Sequence, residues 1–277
     1  MKLLTLNTHS LVEKDYEKKL AYFIEWVDRN DYDVISLQEV NQSISAEKVT
    51  ADNYFIGANE NVKIKEDNHI LRVVNGLKLK GKNYYWVWTP IKVGYDIYDE
   101  GIGIISKYRP IDVKEFYITQ SDDYFNWKVR KVIGIKCEIE NKKKWFFSVH
   151  LGWWKDESEK FNYQFEKLKS QLKNIVAEDE EIFLMGDFNN PADVRDEGYD
   201  YILKEGWLDT YTLAREKDDG ITVAGLIDGW KDHKDITSMR IDFIFTNKNQ
   251  EIAKSNVVFN GKNGEIISDH FGVEIIR

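Results

Sequence analysis

The apolar run Ile182-Phe183-Leu184-Met185 stops abruptly at Gly186-Asp187-Phe188-Asn189-Asn190. The run reads as a buried strand, and the polar residues after it read as a loop at its C-terminal end. That puts a carboxylate and a carboxamide two residues apart at the rim of a sheet. Alone, this could be a turn capped by its own side chains. The arrangement recurs along the chain. Asn7 ends Leu3-Leu4-Thr5-Leu6, Glu39 closes Val34-Ile35-Ser36-Leu37-Gln38, and His150 ends Phe146-Phe147-Ser148-Val149. Glu100 precedes Gly101-Ile102-Gly103-Ile104-Ile105, Asp242 sits inside Arg240-Ile241-Asp242-Phe243-Ile244-Phe245, and Asp269-His270 precede Phe271-Gly272-Val273. Layered α/β folds bind ligands at the carboxyl ends of their strands.

Strands are expected at residues 2–7, 33–38, 84–93, 101–106, 111–118, 131–139, 145–149, 181–185, 241–246, 253–259 and 271–275. Apolar residues at helical spacing (Leu20, Phe23, Ile24, Val27) predict a helix over 15–29. Further helices are expected over 68–79, 157–177 and 194–204. Strand–helix–strand units at both ends, with hairpins between them, predict an α/β protein of two packed sheets flanked by helices. With three prolines and no Ser/Gly-rich tract, residues 1–277 read as one domain.

No run of eighteen apolar residues occurs, so no transmembrane helix is expected. The apolar segment at the N-terminus is too short for a signal peptide, which gives an expected cytoplasmic location. The single Cys137 forbids an internal disulfide and fits a reducing compartment. It alternates with Ile135 and Ile139, as a small core residue would. A net charge of −9 disfavours nucleic acid as a partner, because phosphate neutralisation drives that binding. The basic run Lys142-Lys143-Lys144 reads as a solvated turn, and His69 and His233 read as solvated surface.

A set of Asp, Glu, Asn and His without Cys is hard-cation chemistry. Mg²⁺ fits best, with Mn²⁺ as a substitute. Only two of the five histidines lie in the set, which disfavours zinc. Hydrolysis of a phosphate ester needs these parts: a metal and hydrogen-bond donors for the charge on phosphorus, and a base near neutrality for the attacking water. Two His and two carboxylates allow two His–carboxylate pairs. Asp242 inside an apolar strand needs a partner, and a His is the obvious one.

The set LNTHS, LQEV, DEGIGIIS, SVHLGWW, MGDFNN, RIDFIF and SDHFGV resembles the endonuclease/exonuclease/phosphatase superfamily from the first strand to the last. The resemblance implies a four-layer α/β sandwich. It implies that Glu39 is the principal Mg²⁺ ligand, with Asn7 beside it and Asp269 helping. Asp187 and Asn189 would position the phosphate and the attacking water. His270 would be the base, paired with Asp242. His150 would donate to a phosphate oxygen or the leaving group, paired with Glu100. Arg130 resembles a basic residue that begins a strand in the deoxyribonuclease branch, and would contact phosphate. His9, close after Asn7, is placed with the substrate contacts. So are Trp153 and Trp154, directly after His150, and Trp230 in the loop of residues 224–230.

The superfamily fixes reaction type, not substrate. The acidic charge, the scarcity of basic patches and the aromatics beside the strand ends favour a phosphatase of a small phosphorylated compound, with a sugar phosphate as the leading candidate. GWWKDE and IDGW are also similar to a Firmicute branch that includes maltose 6′-phosphate phosphatases. A nuclease is the alternative, supported by the paired histidines and Arg130 and weakened by charge. A sphingomyelinase-like enzyme comes third. It would need a membrane-inserting hairpin, and Tyr84-Tyr85-Trp86-Val87-Trp88 alternates as a core strand does. A binding scaffold with a decayed site is disfavoured, because each catalytic position holds the expected residue type. No membrane and no obligate protein partner are expected.

Overall fold

The computed structural model describes residues 1–59, 61–225 and 238–277. In chain order its elements are β1 (Lys2–Asn7), α1 (Tyr16–Asn30), β2 (Val34–Ser43), α2 (His69–Leu79), β3 (Tyr85–Gly94), β4 (Tyr98–Ser106), β5 (Asp112–Tyr117), β6 (Lys131–Ile139) and β7 (Lys142–His150). Next come α3 (Phe161–Ile175), β8 (Glu181–Asp187), α4 (Gly198–Lys204), β9 (Leu208–Asp209), α5 (Thr210–Leu213), β10 (Ala214–Lys217), β11 (Val223–Ala224), β12 (Ser238–Met239), β13 (Asp242–Thr246), β14 (Ile252–Val258) and β15 (Gly272–Ile276).

Two large mixed sheets result. One has strand order β10-β14-β15-β1-β2-β4-β3 and the other β5-β6-β7-β8-β13-β9. Because side chains alternate across a strand, each sheet feeds two apolar layers. Leu3, Val34, Ile102 and Ile104 of the first sheet meet Ile135, Phe146, Phe183, Met185 and Ile244 of the second in a central core. The outer face of the first sheet (Leu4, Leu6, Ile35, Leu37, Trp86, Trp88) packs on α1 and α2 through Leu20, Phe23, Val27, Ile70, Val73 and Leu77. The outer face of the second (Trp145, Phe147, Leu184, Phe243, Phe245) packs on α3 and α4 through Phe161, Phe165, Leu168 and Ile202. The architecture is the four-layer α/β sandwich, and Trp86 and Trp88 are core residues of β3.

Several local expectations are corrected. α3 begins at Phe161, not 157, because the Asp156 carboxylate accepts from the Ser158 and Glu159 backbone N–H groups and holds that turn out of the helix. α4 begins at Gly198, not 194; Asp196 adopts a left-handed conformation just before it. β2 does not stop at Gln38. Its pairing with β4 slips between Leu37 and Val40 and the strand continues to Ser43. Lys144 is not a solvated turn residue. The hairpin turn is Glu140-Asn141, both at positive φ, and Lys144 is buried and ion-paired with Glu181. His69 is also buried, stacked on Phe23 and bonded to the Tyr16 hydroxyl. Burial pushes its imidazole down to about 3, so it is a neutral core residue. Cys137 lies in the central core.

Candidate active site

The same alternation that builds the central core delivers the polar residues. Leu3, Thr5 and Asn7 share one face of β1. Phe183, Met185 and Asp187 share one face of β8. Phe146, Ser148 and His150 share one face of β7, and Asp242 and Ile244 one face of β13. All face the space between the sheets. Strand register then aligns the ends: His150 pairs with Asp187, and Asp187 with Asp242. Beneath them lies a buried polar layer. Gln38 Nε2 donates to Ser36 Oγ (2.9 Å) and Ser148 Oγ (3.0 Å), and Ser36 Oγ donates to the Met185 carbonyl (3.0 Å). Gly186, at φ 152°, is required there, since a Cβ would sit 1.9 Å from the Val149 carbonyl oxygen.

A cavity of about 240 Å³ opens at this end. Its walls include His9, Glu39, Lys92, Tyr95, Glu100, Trp127, Arg130, His150, Trp153, Asp187, Asn189, Asp269 and His270. Asn7 Nδ2 donates to Glu39 Oε1 (3.0 Å) and to Asp187 Oδ2 (3.2 Å), tying the two sheets together. His270 Nδ1 lies 3.0 Å from Asp242 Oδ2, and its Nε2 lies 3.8 Å from Asp187 Oδ2. Asn189 Nδ2 donates to the Leu151 carbonyl (2.9 Å), and its backbone N–H donates to Asp187 Oδ1 (2.8 Å). Four residues on the cavity wall hold positive φ: His9 (48°), Glu39 (50°), Tyr95 (50°) and Asn189 (51°). Such strain clusters where surrounding structure fixes a side chain for function.

The electrostatics are strongly uneven. Burial, and then the Asp242 carboxylate, push Asp187 up to about 7. Burial opposes charge on His270, but Asp242 and Asp187 outweigh it and raise its imidazole well above the usual range. His150 goes the other way: burial, then Arg130 and Lys92, hold it well below, so it is neutral at pH 7. At His9 burial is outweighed by the bond to Glu13 (2.8 Å) and the charges of Asp269 and Glu39, which lift it to about 9.

Burial, and then the carboxylates of Glu100 and Asp269, raise Glu39. Crowded carboxylates beside a carboxamide form an all-oxygen donor set, which fits a hard divalent cation. Two further groups have ligand atoms within 4.8 Å of one another: His9, Glu13 and Asp269, and Asp187, Asp242 and His270. Glu39 stands outside both.

The structure departs from the expected arrangement in two places. Glu100 is not the partner of His150. An extra residue in β3 sets Lys92 opposite Glu100, and Lys92 Nζ binds Glu100 Oε1 at 3.1 Å, while His150 Nε2 lies 3.6 Å from Asp187 Oδ2. Trp154 is not on the cavity. It packs against Phe161 and Tyr201 under α3 and α4, where the chain enters a turn at Trp154, and only Trp153 reaches the wall. Arg130, expected to contact phosphate, lines the cavity. It is 3 % exposed, has no carboxylate within 4.0 Å among the described residues, and its Nε lacks a partner. Trp230, most of the loop of residues 224–230, and His233 lie outside the described residues.

The sequence reading missed Lys92, Tyr95 and Trp127. Lys92 is hidden from a period-two reading, because the register of β3 shifts by one residue between Pro90 and Lys92. Trp127 stands three residues before Arg130 and its ring lies 5.7 Å from that of Trp153.

The sequence model of the Endonuclease/Exonuclease/phosphatase family matches residues 4–270. Among solved structures, an endonuclease/exonuclease/phosphatase family protein from Leptotrichia buccalis C-1013-b is 32% identical, with a TM-score of 0.87, and the match covers 100% of this chain and 98% of that one. A mannosyl-6-phosphatase from Bacteroides thetaiotaomicron VPI-5482 is 16% identical at TM-score 0.69, covering 100% of this chain and 98% of its own. Truncated TDP2 from Caenorhabditis elegans is 15% identical at TM-score 0.60, covering 99% and 95%. At such identities the last two are likenesses of fold. No curated protein matches the chain.

Proposed function

Because the chain belongs to the endonuclease/exonuclease/phosphatase family, whose members hydrolyse phosphoester bonds, we propose that it is a Mg²⁺-dependent phosphomonoesterase that releases inorganic phosphate from a phosphorylated sugar. The observation that carries this reading is a small cavity with a buried Arg130, free of carboxylates within 4.0 Å among the described residues, on one wall, the Asp187–His270–Asp242 group on another, and the rings of Trp127, Trp153 and Tyr95 at its mouth. A guanidinium in that state is built for phosphate oxygens. Exposed aromatic faces beside it suit a sugar ring, and a cavity near the small end of ligand pockets suits a small molecule. The structural neighbour named a mannosyl-6-phosphatase supports the same class, as does the sequence likeness to maltose 6′-phosphate phosphatases.

In this reading Arg130 binds the phosphate, and Asn189 and Asp187 position it with the attacking water. His270, oriented by Asp242, takes the water's proton at Nε2. Neutral His150 donates to a phosphate oxygen or the leaving group. Trp153 and His9 line the substrate's path. Glu39, Asn7 and Asp269 would hold the divalent ion, which supplies charge neutralisation at the phosphate. The test is phosphate release with Mg²⁺ from a panel of sugar phosphates that includes maltose 6′-phosphate and mannose 6-phosphate. Release from one of them supports the reading. Nicked plasmid with no phosphate release replaces it with a nuclease.

The Asp242–His270 pair gives a pH signature. A base must be neutral to act, so kcat/KM rises with pH through the raised His270 titration. Asp242→Asn removes the largest influence that favours the imidazolium and leaves burial, which disfavours it. The acid limb of the profile is therefore expected to move to lower pH, while the maximal rate falls. Asp187 moves the same way, since Asp242 also raises it. A limb that stays in place would assign the base to another group.

A further inference from the structure

We infer that Lys92 and Arg130 together form a two-cation cradle that selects a terminal phosphate dianion over a singly charged phosphodiester. The inference rests on the phosphomonoesterase reading above and adds a specificity-determining residue to it.

Lys92 lies on the cavity wall and is 7 % exposed. Its orientation comes from the irregularity in β3: Pro90 pairs with Gly101 and Lys92 with Glu100, so Ile91 is the extra residue. Without it, strand alternation would send Lys92 to the helix side with Trp86 and Trp88. Bulges beside active sites re-aim side chains in this way. Lys92 Nζ donates to the Trp127 carbonyl at 2.8 Å, and Arg130 Nη1 donates to the same oxygen at 3.2 Å. One carbonyl thus holds two buried cations side by side. Among the described residues a single carboxylate, Glu100, serves the pair, at 3.1 Å from Lys92.

Glu100 is the one carboxylate in contact with the pair among the described residues, while Glu39 and Asp187 act on it from farther away, so buried donors such as Arg130 Nε remain for an arriving anion. A monoester dianion brings two charges and three terminal oxygens, enough for both cations. A diester brings one charge, and carbon-linked oxygen replaces one of the three. Arg130 alone serves any phosphate ester; Lys92 beside it makes the second charge count.

The experiment is calorimetric binding of inorganic phosphate and of dimethyl phosphate, with Mg²⁺ and at a pH where phosphate is dianionic, to the full chain and to Lys92→Met and Lys92→Arg. Loss of a charged hydrogen bond predicts that Lys92→Met weakens phosphate binding about 10- to 100-fold, with dimethyl phosphate changed less than about threefold on the same scale. Lys92→Arg, which keeps the charge, is expected to restore most of the phosphate affinity and guards against a mere folding defect. Equal losses for both ligands, or phosphate affinity unmoved by Lys92→Met, would overturn the inference and leave Lys92 as a support for Glu100. The two levels fail separately. A protein that nicks plasmid and releases no phosphate loses the phosphomonoesterase reading. One that releases phosphate but shows equal Lys92→Met losses loses only the cradle.

Discussion

His270→Ala is expected to lower kcat/KM by about two to four orders of magnitude, the span of a lost acid–base group, and to cost more than His150→Ala. The difference stems from the two environments. His270 is held by Asp242 at 3.0 Å, with its other nitrogen turned to Asp187 at 3.8 Å. In the proposed mechanism it takes up a proton as water attacks, and the carboxylates on both sides favour the imidazolium that would form. His150 is kept neutral by burial and by Arg130 and Lys92. In that mechanism it only donates a hydrogen bond to a phosphate oxygen or the leaving group, beside Arg130, so its loss is expected to cost less. Steady-state kinetics of the two variants on one sugar phosphate make the comparison. Reversed magnitudes would exchange the roles of the two histidines.

Removal of the divalent ion with EDTA is expected to stop turnover, and added Mg²⁺ or Mn²⁺ to restore it. Glu39→Ala is expected to impose a comparable loss in saturating metal, about three orders of magnitude or more, because Lewis-acid stabilisation of a phosphoryl transition state is worth several kcal/mol. The physical basis is burial of Glu39 and then its crowding by Glu100 and Asp269, which together raise its carboxyl and favour an added cation. Titrating metal into chelated protein while monitoring phosphate release tests both statements. Full activity in chelator, or Glu39→Ala with unchanged metal dependence, would remove Glu39 from the metal site.

Much of this arrangement is legible in the sequence because it obeys period two. Asn7, His150, Asp187 and Asp242 each continue the inward-facing register of an apolar strand, so a polar residue at the end of such a run announces a site between sheets. Asp242 is readable for a second reason: an acid within an apolar strand demands a buried partner, and His270 Nδ1 is there. The hidden part depends on departures from that period. The bulge at Ile91 replaces the expected His150–Glu100 pair with Lys92–Glu100, and no run of residue types marks where a strand slips by one. Trp153 and Trp154 are equivalent on paper, yet only the first faces the cavity. Tyr95 and Trp127 reach the mouth from a hairpin tip and a long loop, which fold proximity alone determines. Lys144 and His69 show the converse error: charge or polarity in a sequence does not guarantee exposure, and Glu181 and the Tyr16 hydroxyl receive these two inside the fold.

The most direct measurement is inorganic phosphate released by the unmodified protein from a sugar 6-phosphate with Mg²⁺, with supercoiled plasmid in the same tube. The geometry of the site predicts phosphate release that depends on the metal, beside a plasmid that stays supercoiled. Nicked plasmid without phosphate would contradict it, and would mean that the two cations beside Trp127 serve a nucleic-acid backbone instead of a terminal phosphate.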